Sequence, residues 1–148
     1  MIIVDSREKK WSHIAQYFDK HSVPYKVEKL DTGDYAAEGH DSIVVDRKSS
    51  LDEVASNLLT NDSNRFWREI RRSRVGRIKL IVLVECGSAY RNIKDVASWN
   101  SKYSIKITGR RLMEEMYRTH ISYGVEWIFC DKRSSGRKII ELLGGAMK

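Results

Sequence analysis

Two aspartates and a lysine carry the most pointed chemistry in the sequence. They lie in Gly33-Asp34-Tyr35 and Val44-Val45-Asp46-Arg47-Lys48, with Ser49-Ser50-Leu51-Asp52 following. Between the two stretches Glu38-Gly39-His40-Asp41-Ser42 is polar and turn-forming, flanked by residues suited to strands, and this predicts a β-hairpin. A turn centred on His40 sets Asp34 opposite Asp46, with Cβ atoms roughly 5 Å apart. Because strand side chains alternate, Lys48 shares a face with Asp46, while Val45 and Arg47 point to the other side. Two carboxylates so close repel unless a cation neutralises them, and Lys48 supplies only one positive charge. Oxygen donors of this kind suit Mg²⁺ or Mn²⁺, which activates water and polarises phosphate, while an ammonium stabilises developing charge. That chemistry is phosphodiester hydrolysis. On spacing alone a second reading stays open, in which Asp34 caps a turn and Asp46 and Lys48 form a solvated strand face.

The elements that must position these groups are legible from periodicity. Ile2 to Asp5 reads as a buried strand with a charged tip, Ser6-Arg7-Glu8, which puts Asp5 and Arg7 at a strand end where they pair locally or face a substrate. Trp11, Ile14 and Phe18 mark an amphipathic helix from Lys10 to His21, with His13 and His21 on its surface. Pro24 ends that segment, and Tyr25 to Leu30 alternates as a strand. Ser50 and Glu53 form a capping box for a helix reaching about Leu59. Asp52, in its first turn, either favours the helix dipole or reaches back to Lys48 and the metal waters. A polar break over Thr60–Ser63 precedes a helix from Asn64 to Val75. There Arg65, Arg68, Arg71 and Arg72 share one broad side and Phe66 and Ile70 the opposite one. Residues 64–79 hold seven basic residues against the single Glu69. A charge run of this kind is usually a solvated face, but beside a phosphodiester site it is more economically read as a row of phosphate contacts.

Ile78 to Val84 is an almost unbroken apolar run, the mark of a central strand covered on both faces. Glu85 at its end either marks where that strand emerges or is a distal member of the site, the first reading being the more economical. Residues 87–108 carry Trp99 and Tyr103 without a steady period, either as base-stacking groups or as anchors of a loop. Gly109 to Tyr123 forms a helix with Leu112, Met113, Met116, Tyr117 and His120 along one side. Val125 to Cys130 is the last strand, and Ser134 to Leu143 is a closing helix. The fold class that follows is α/β, a mixed central sheet flanked by helices.

The chain has 148 residues, 41% of them hydrophobic, enough for one domain with its own core. A net charge of +7 favours an acidic partner such as nucleic acid. Cys86 and Cys130 are far apart and the four His residues lack ligand spacing, so reduced thiols and no zinc site are expected. No run approaches membrane-spanning length, and Met1-Ile2-Ile3-Val4 lacks a basic leader. The expectation is a soluble, intracellular protein with no membrane partner.

The hairpin stretch also resembles the signature of the XPF nuclease family: a Gly-Asp pair, a variable gap, Glu-Arg-Lys, three residues and Asp. Here it reads Gly33-Asp34, Asp46-Arg47-Lys48 and Asp52, with Asp46 in place of the family's Glu. Val4-Asp5-Ser6-Arg7-Glu8 matches the family's opening motif, and Arg65-Phe66-Trp67-Arg68-Glu69 resembles its helix after the catalytic strand. Ile81-Val82-Leu83-Val84-Glu85 and Tyr123-Gly124-Val125 look like later segments. The resemblance implies a restriction-endonuclease-like core and a Mg²⁺- or Mn²⁺-dependent endonuclease acting on branched, flap or otherwise structured DNA. It implies catalytic roles for Asp5, Arg7, Asp34, Asp46, Arg47, Lys48 and Asp52, with Asp34 and Asp46 holding the metal. It also implies a homodimer or heterodimer through the later helices, where apolar residues from Met113 to Ile121 suit an interface. Residues 1–148 are expected to form one nuclease domain with no helix-hairpin-helix module. Two other functions fit the same fold: a catalytically silent DNA-binding or scaffolding partner, and an RNA-processing nuclease.

Overall fold

The computed structural model describes residues 1–60 and 64–144. Of the expected polar break, Asn61–Ser63 lie outside the described residues. A six-stranded sheet forms the middle layer, built from β1 (Ile2–Asp5), β2 (Tyr25–Glu28), β3 (Tyr35–Ala37), β4 (His40–Lys48), β5 (Lys79–Glu85) and β6 (Glu126–Cys130). Its spatial order is β2-β1-β3-β4-β5-β6. β1 and β2 are parallel, β3 runs against both neighbours, and β4, β5 and β6 are parallel to one another. All strands but β3 therefore point the same way. The carboxyl ends of β1 and β4 meet the start of β3 at one end of the sheet, and that end is where open α/β sheets bind their ligands.

The helices are α1 (Ser12–Lys20), α2 (Leu51–Leu59), α3 (Asn64–Val75), α4 (Gly109–Tyr123) and α5 (Ser135–Leu143). Strand alternation sorts the core into two layers. Ala36, Val44, Leu80, Val82 and Val84 pack under Val54, Leu58, Phe66, Ile70, Leu112 and Met116 of α2, α3 and α4. On the other face Ile2, Val4, Tyr35, Val45, Ile81 and Leu83 meet Ile14 and Phe18 of α1 and Ile139 and Leu143 of α5. β5 serves both layers, which is why its sequence is an unbroken apolar run. Ser50 caps α2 by accepting the Glu53 N–H at 3.0 Å. The Glu53 carboxylate in turn accepts the Ser49 N–H, also at 3.0 Å, one residue earlier than a standard capping box requires.

The hairpin register that sets Asp34 opposite Asp46 arises differently from the pattern expected of the sequence. His40 does not centre the turn; it opens β4 and pairs with Ala37, and the reversal takes place at Glu38-Gly39. A register shift between Ala36 and Ala37 absorbs the difference, leaving Ala36 opposite Val44 and Tyr35 opposite Val45. Trp99 is buried in the core and so serves as an anchor of its loop, while Tyr103 is exposed. His13 is also not a free surface residue, since its ring nitrogen meets Glu85 at 2.7 Å. Among the described residues no helix is long and apolar enough to cross a membrane.

Candidate active site in a carboxylate-lined cleft

Gly33 makes the approach to the site possible. Its φ of +79° is costly for a residue with a side chain, and a Cβ there would lie 2.8 Å from the Cβ of Val44. The turn delivers Asp34, whose N–H donates to the Val45 carbonyl and whose Oδ2 accepts the Arg47 N–H, both at 2.8 Å. Asp46 projects from β4 on the same side. Lys48, two residues on, brings Nζ to 3.5 Å from Asp46 Oδ2 and 4.3 Å from the centre of the Phe66 ring. The three groups open into a cleft of about 880 Å³.

Burial and the adjacent Asp46 charge push the Asp34 carboxyl well above the usual range. Asp46 moves the other way: burial raises it, but the Lys48 ammonium and hydrogen bonds from Glu69 and Asp34 lower it further. Lys48 is desolvated, yet the carboxylates of Asp46, Glu53, Glu69 and Asp34 raise it overall. It is therefore a fixed ammonium and cannot serve as a general base near neutrality.

Glu69 of α3 belongs to this group, although the sequence marks it as one negative charge in a basic run and as the end of the Arg65-Phe66-Trp67-Arg68-Glu69 stretch, with no role of its own. Burial and the Asp46 charge push it up to about 9, so at neutral pH it carries a proton toward Asp46. Its Oε1 also accepts the Gly33 N–H at 2.8 Å. One signal was available: Glu69 is the only acid of α3 and lies three residues after Phe66, at the edge of the docking face.

Asp5 and Arg7 also line the cleft. Asp5 accepts Arg7 Nε at 3.0 Å and the Leu30 N–H at 2.8 Å, and Arg7 donates to the Leu30 carbonyl at 2.7 Å. The pair clamps the loop before Gly33 while leaving half of the Arg7 side chain exposed. Arg65, Arg68 and Arg72 form the facing wall. Arg72 is partly committed, because its Nε donates to Thr32 Oγ1 at 3.1 Å.

Three residues implied for the site or its DNA wall lie elsewhere. Arg47 gives Asp34 its backbone N–H, but strand alternation sends the guanidinium through to the α1 and α5 face. There it is buried against Glu8 at 3.0 Å, Glu85 at 2.6 Å and the Lys9 carbonyl at 2.7 Å. Glu85 is correspondingly a buried hub rather than a mere strand exit, and it also accepts from Ser135. Asp52 does not reach Lys48. Its Oδ1 accepts Ser101 Oγ at 3.1 Å and the Lys102 N–H at 3.2 Å, tying down a distant loop, and Glu53 is the residue of that helical turn facing the cleft. Arg71 parts from its three neighbours and lines a separate cavity, because a step of 100° turns it past the ridge of the helix.

Among the described residues no three His, Cys, Asp or Glu side chains make a closed metal cage. The donor chemistry nevertheless fits a hard divalent ion. Asp34 and Asp46 offer oxygen ligands only, and Mg²⁺ is commonly held by one or two carboxylates, with water and phosphate completing its shell. Burial and the nearby Asp46 charge push Asp34 and Glu69 toward their protonated forms, a shift that a bound cation would reverse.

The same architecture occurs in solved structures. XPF from Aeropyrum pernix matches with a TM-score of 0.74 at 22% identity, over 99% of this chain and 65% of that one. The structure of XPF from Aeropyrum pernix in complex with DNA matches with a TM-score of 0.69 at 21% identity, over 98% of this chain and 64% of that one. This chain thus spans about 65% of the length of the first of these. At such identities the likeness establishes the fold, that of the XPF nuclease. No curated protein matches the sequence. The model of the ERCC4 domain matches residues 4–142, nearly the whole chain, and the chain belongs to the ERCC4 domain family.

Proposed function

We propose that the chain is a metal-dependent endonuclease that hydrolyses phosphodiester bonds in DNA at branched, flap or otherwise structured sites. The observation that carries this reading is the pair of a half-buried Asp34 and a buried Asp46 beside Lys48, at the end of the sheet where the carboxyl ends of β1 and β4 meet the start of β3, in a cleft whose facing wall bears Arg65, Arg68 and Arg72. Membership of the ERCC4 domain family, the XPF-type nuclease domains, supports it. DNA as the substrate is further supported by the likeness to XPF from Aeropyrum pernix, which has been solved in complex with DNA.

Asp34 and Asp46 would hold Mg²⁺ or Mn²⁺, which when bound supplies Lewis acidity toward phosphate and lowers the pKa of water. Arg65 and Arg68 hold backbone phosphates in register, and Arg7 extends that positive rim from the opposite side. In the reaction a water oxygen bonds to phosphorus and gives up a proton to solvent, the bond from phosphorus to the leaving sugar oxygen breaks, and that oxygen takes up a proton from solvent in exchange. Lys48, held as an ammonium, stabilises the charge that builds on the phosphoryl oxygens. Glu69 and the Gly33 N–H fix the carboxylate geometry from behind. A homodimer or heterodimer through α4 belongs to the same reading, supported by Tyr117 and Ile121, which α4 leaves exposed while Leu112 and Met116 turn inward.

Matched DNA and RNA forks incubated with Mg²⁺, Mn²⁺ or EDTA test the proposal. DNA forks are cut with either ion, are left intact in EDTA, and are left intact by Asp34→Asn under all conditions. Cleavage that survives EDTA or Asp34→Asn overturns the assignment, and cutting of the RNA fork alone replaces DNA with RNA as substrate.

A further inference from the structure

α3 has a second charged side that the cleft does not use. A cavity of about 490 Å³ opens between the C-terminal part of α2, the outer side of α3 and the length of α4. Trp67 and Arg71 come to it from α3, and Arg111, Glu115, Arg118 and Tyr123 from α4. Trp67 and Tyr123 meet edge to face, ring centres 5.7 Å apart, and give the cavity an aromatic wall. Three guanidinium groups here face one carboxylate. Arg118 reaches Glu115 at 3.4 Å, while Arg71 and Arg111 make no side-chain hydrogen bond or ion pair with any described residue. Arg71 and Arg111 are thus exposed and uncommitted on the rim of one cavity, and the planar fork of arginine suits phosphate in particular.

We propose that this cavity is a second phosphate-binding site, occupied by the backbone of a nucleic-acid strand that passes over α3 from the cleft. The helix is the shared wall: Arg65, Arg68 and Arg72 face one side and Arg71 the other. Arg71, Arg111 and Arg118 then hold phosphates, and Trp67 and Tyr123 lie where a sugar or base edge of the strand packs. Only the source of the phosphate rests on the nuclease reading, since a free oligophosphate presents the same chemistry.

The test uses the whole chain and a DNA fork in EDTA, so that binding is read without cleavage. Affinity is measured from low to high salt for the wild type, for Arg71→Gln/Arg111→Gln, and for the charge-matched pair Arg137→Gln/Lys138→Gln on α5. The cavity pair flattens the log–log salt slope by about 0.9 for each duplex phosphate no longer neutralised, or about 0.7 if the strand is single there. The α5 pair leaves the slope unchanged. Equal slopes for the wild type and the cavity pair overturn the proposal, as does an equal flattening by the α5 pair, which reports net charge alone. Tripolyphosphate at matched ionic strength separates the sources: binding to the wild type and not to the cavity pair, with DNA slopes unaltered, replaces the strand with a free oligophosphate. A wild type that shows the cavity-dependent slope but never cleaves in Mg²⁺ or Mn²⁺ leaves this site standing and removes the nuclease reading. Cleavage with a cavity-independent slope does the reverse.

Discussion

Glu69 Oε1 accepts the backbone N–H of Gly33 at 2.8 Å. This bond joins the arginine-bearing helix to the residue before Asp34. The helix proposed to contact substrate is thus fastened to the turn that delivers a proposed metal ligand, and the fastening group is itself titratable. Burial and Asp46 push Glu69 from an ordinary 4.5 up to about 9. A carboxyl raised in the folded state favours folding while it is protonated in both states. Its contribution is therefore complete below about pH 4.5 and declines as pH rises toward 9.

Glu69→Gln keeps the acceptor for Gly33 and mimics the protonated acid. Thermal unfolding from mildly acidic to mildly alkaline pH without metal gives a wild-type Tm that falls relative to the variant as pH rises. Mg²⁺ restores the wild type at high pH, because a cation favours ionised carboxylates. Parallel pH profiles for the two proteins place the proton elsewhere.

Lys48→Ala tests the fixed ammonium. A charge that acts on the transition state contributes little to ground-state binding, so the single-turnover rate falls by about 10²–10³-fold, the scale of removing one electrostatic stabiliser, while Kd changes much less. The Phe66 ring beneath it loses its cation without losing its core packing. An altered Kd with an unchanged single-turnover rate makes Lys48 a phosphate anchor.

Asp46→Glu returns the longer carboxylate of the family signature. The added methylene must fit among Asp34, Lys48 and Glu69, largely buried polar groups that nonetheless line the cleft. Cleavage is retained, and the ratio of Mn²⁺- to Mg²⁺-supported rates shifts. Complete loss with both ions means that the surrounding groups have adapted to the shorter side chain.

The hairpin and its two aspartates were legible because strand alternation has a period of two, so a correct register fixes every side chain at once. That same alternation already put Arg47 on the far face, and only the family triplet drew it toward the site. Asp52 misled for another reason. Helical spacing places it near the cleft, but its partners Ser101 and Lys102 come from a loop whose position no local pattern encodes. Arg71 and Glu69 show the limit of a helical wheel, which gives angles about one axis. It does not say where neighbouring helices leave a second cavity, or which acid meets a carboxylate on another strand.

Arg47 is expected to matter for stability. Its guanidinium joins Glu8 and Glu85, with the Arg47 and Glu85 side chains only 6% and 4% exposed. Arg47→Ala leaves two buried carboxylates without their cation and costs about 3–5 kcal/mol of folding stability, the usual result of breaking one half of a buried pair. Chemical denaturation shows a lower midpoint, and cleavage per folded molecule changes far less than the folded fraction. Stability within about 0.5 kcal/mol of the wild type, with cleavage abolished, reverses that assignment and returns Arg47 to the catalytic group.

The cleft wall separates recognition from chemistry. Arg72 is a poor probe because it also fastens Thr32, whereas Arg65 and Arg68 are exposed, Arg68 with only a 3.3 Å hydrogen bond to the Asn64 carbonyl. Arg65→Gln/Arg68→Gln removes two charges from the wall facing Asp34 and Asp46 while leaving the carboxylates and Lys48 in place. Binding then weakens for every DNA sequence by a similar factor, because phosphate contacts carry no base information. The log–log salt slope drops by about 0.9 for each duplex phosphate that the two arginines had neutralised. Fluorescence anisotropy on two forks of unrelated sequence, across a salt series in EDTA, measures both quantities. A loss confined to one sequence makes these arginines base readers, and an unchanged slope makes this side of α3 a solvated face.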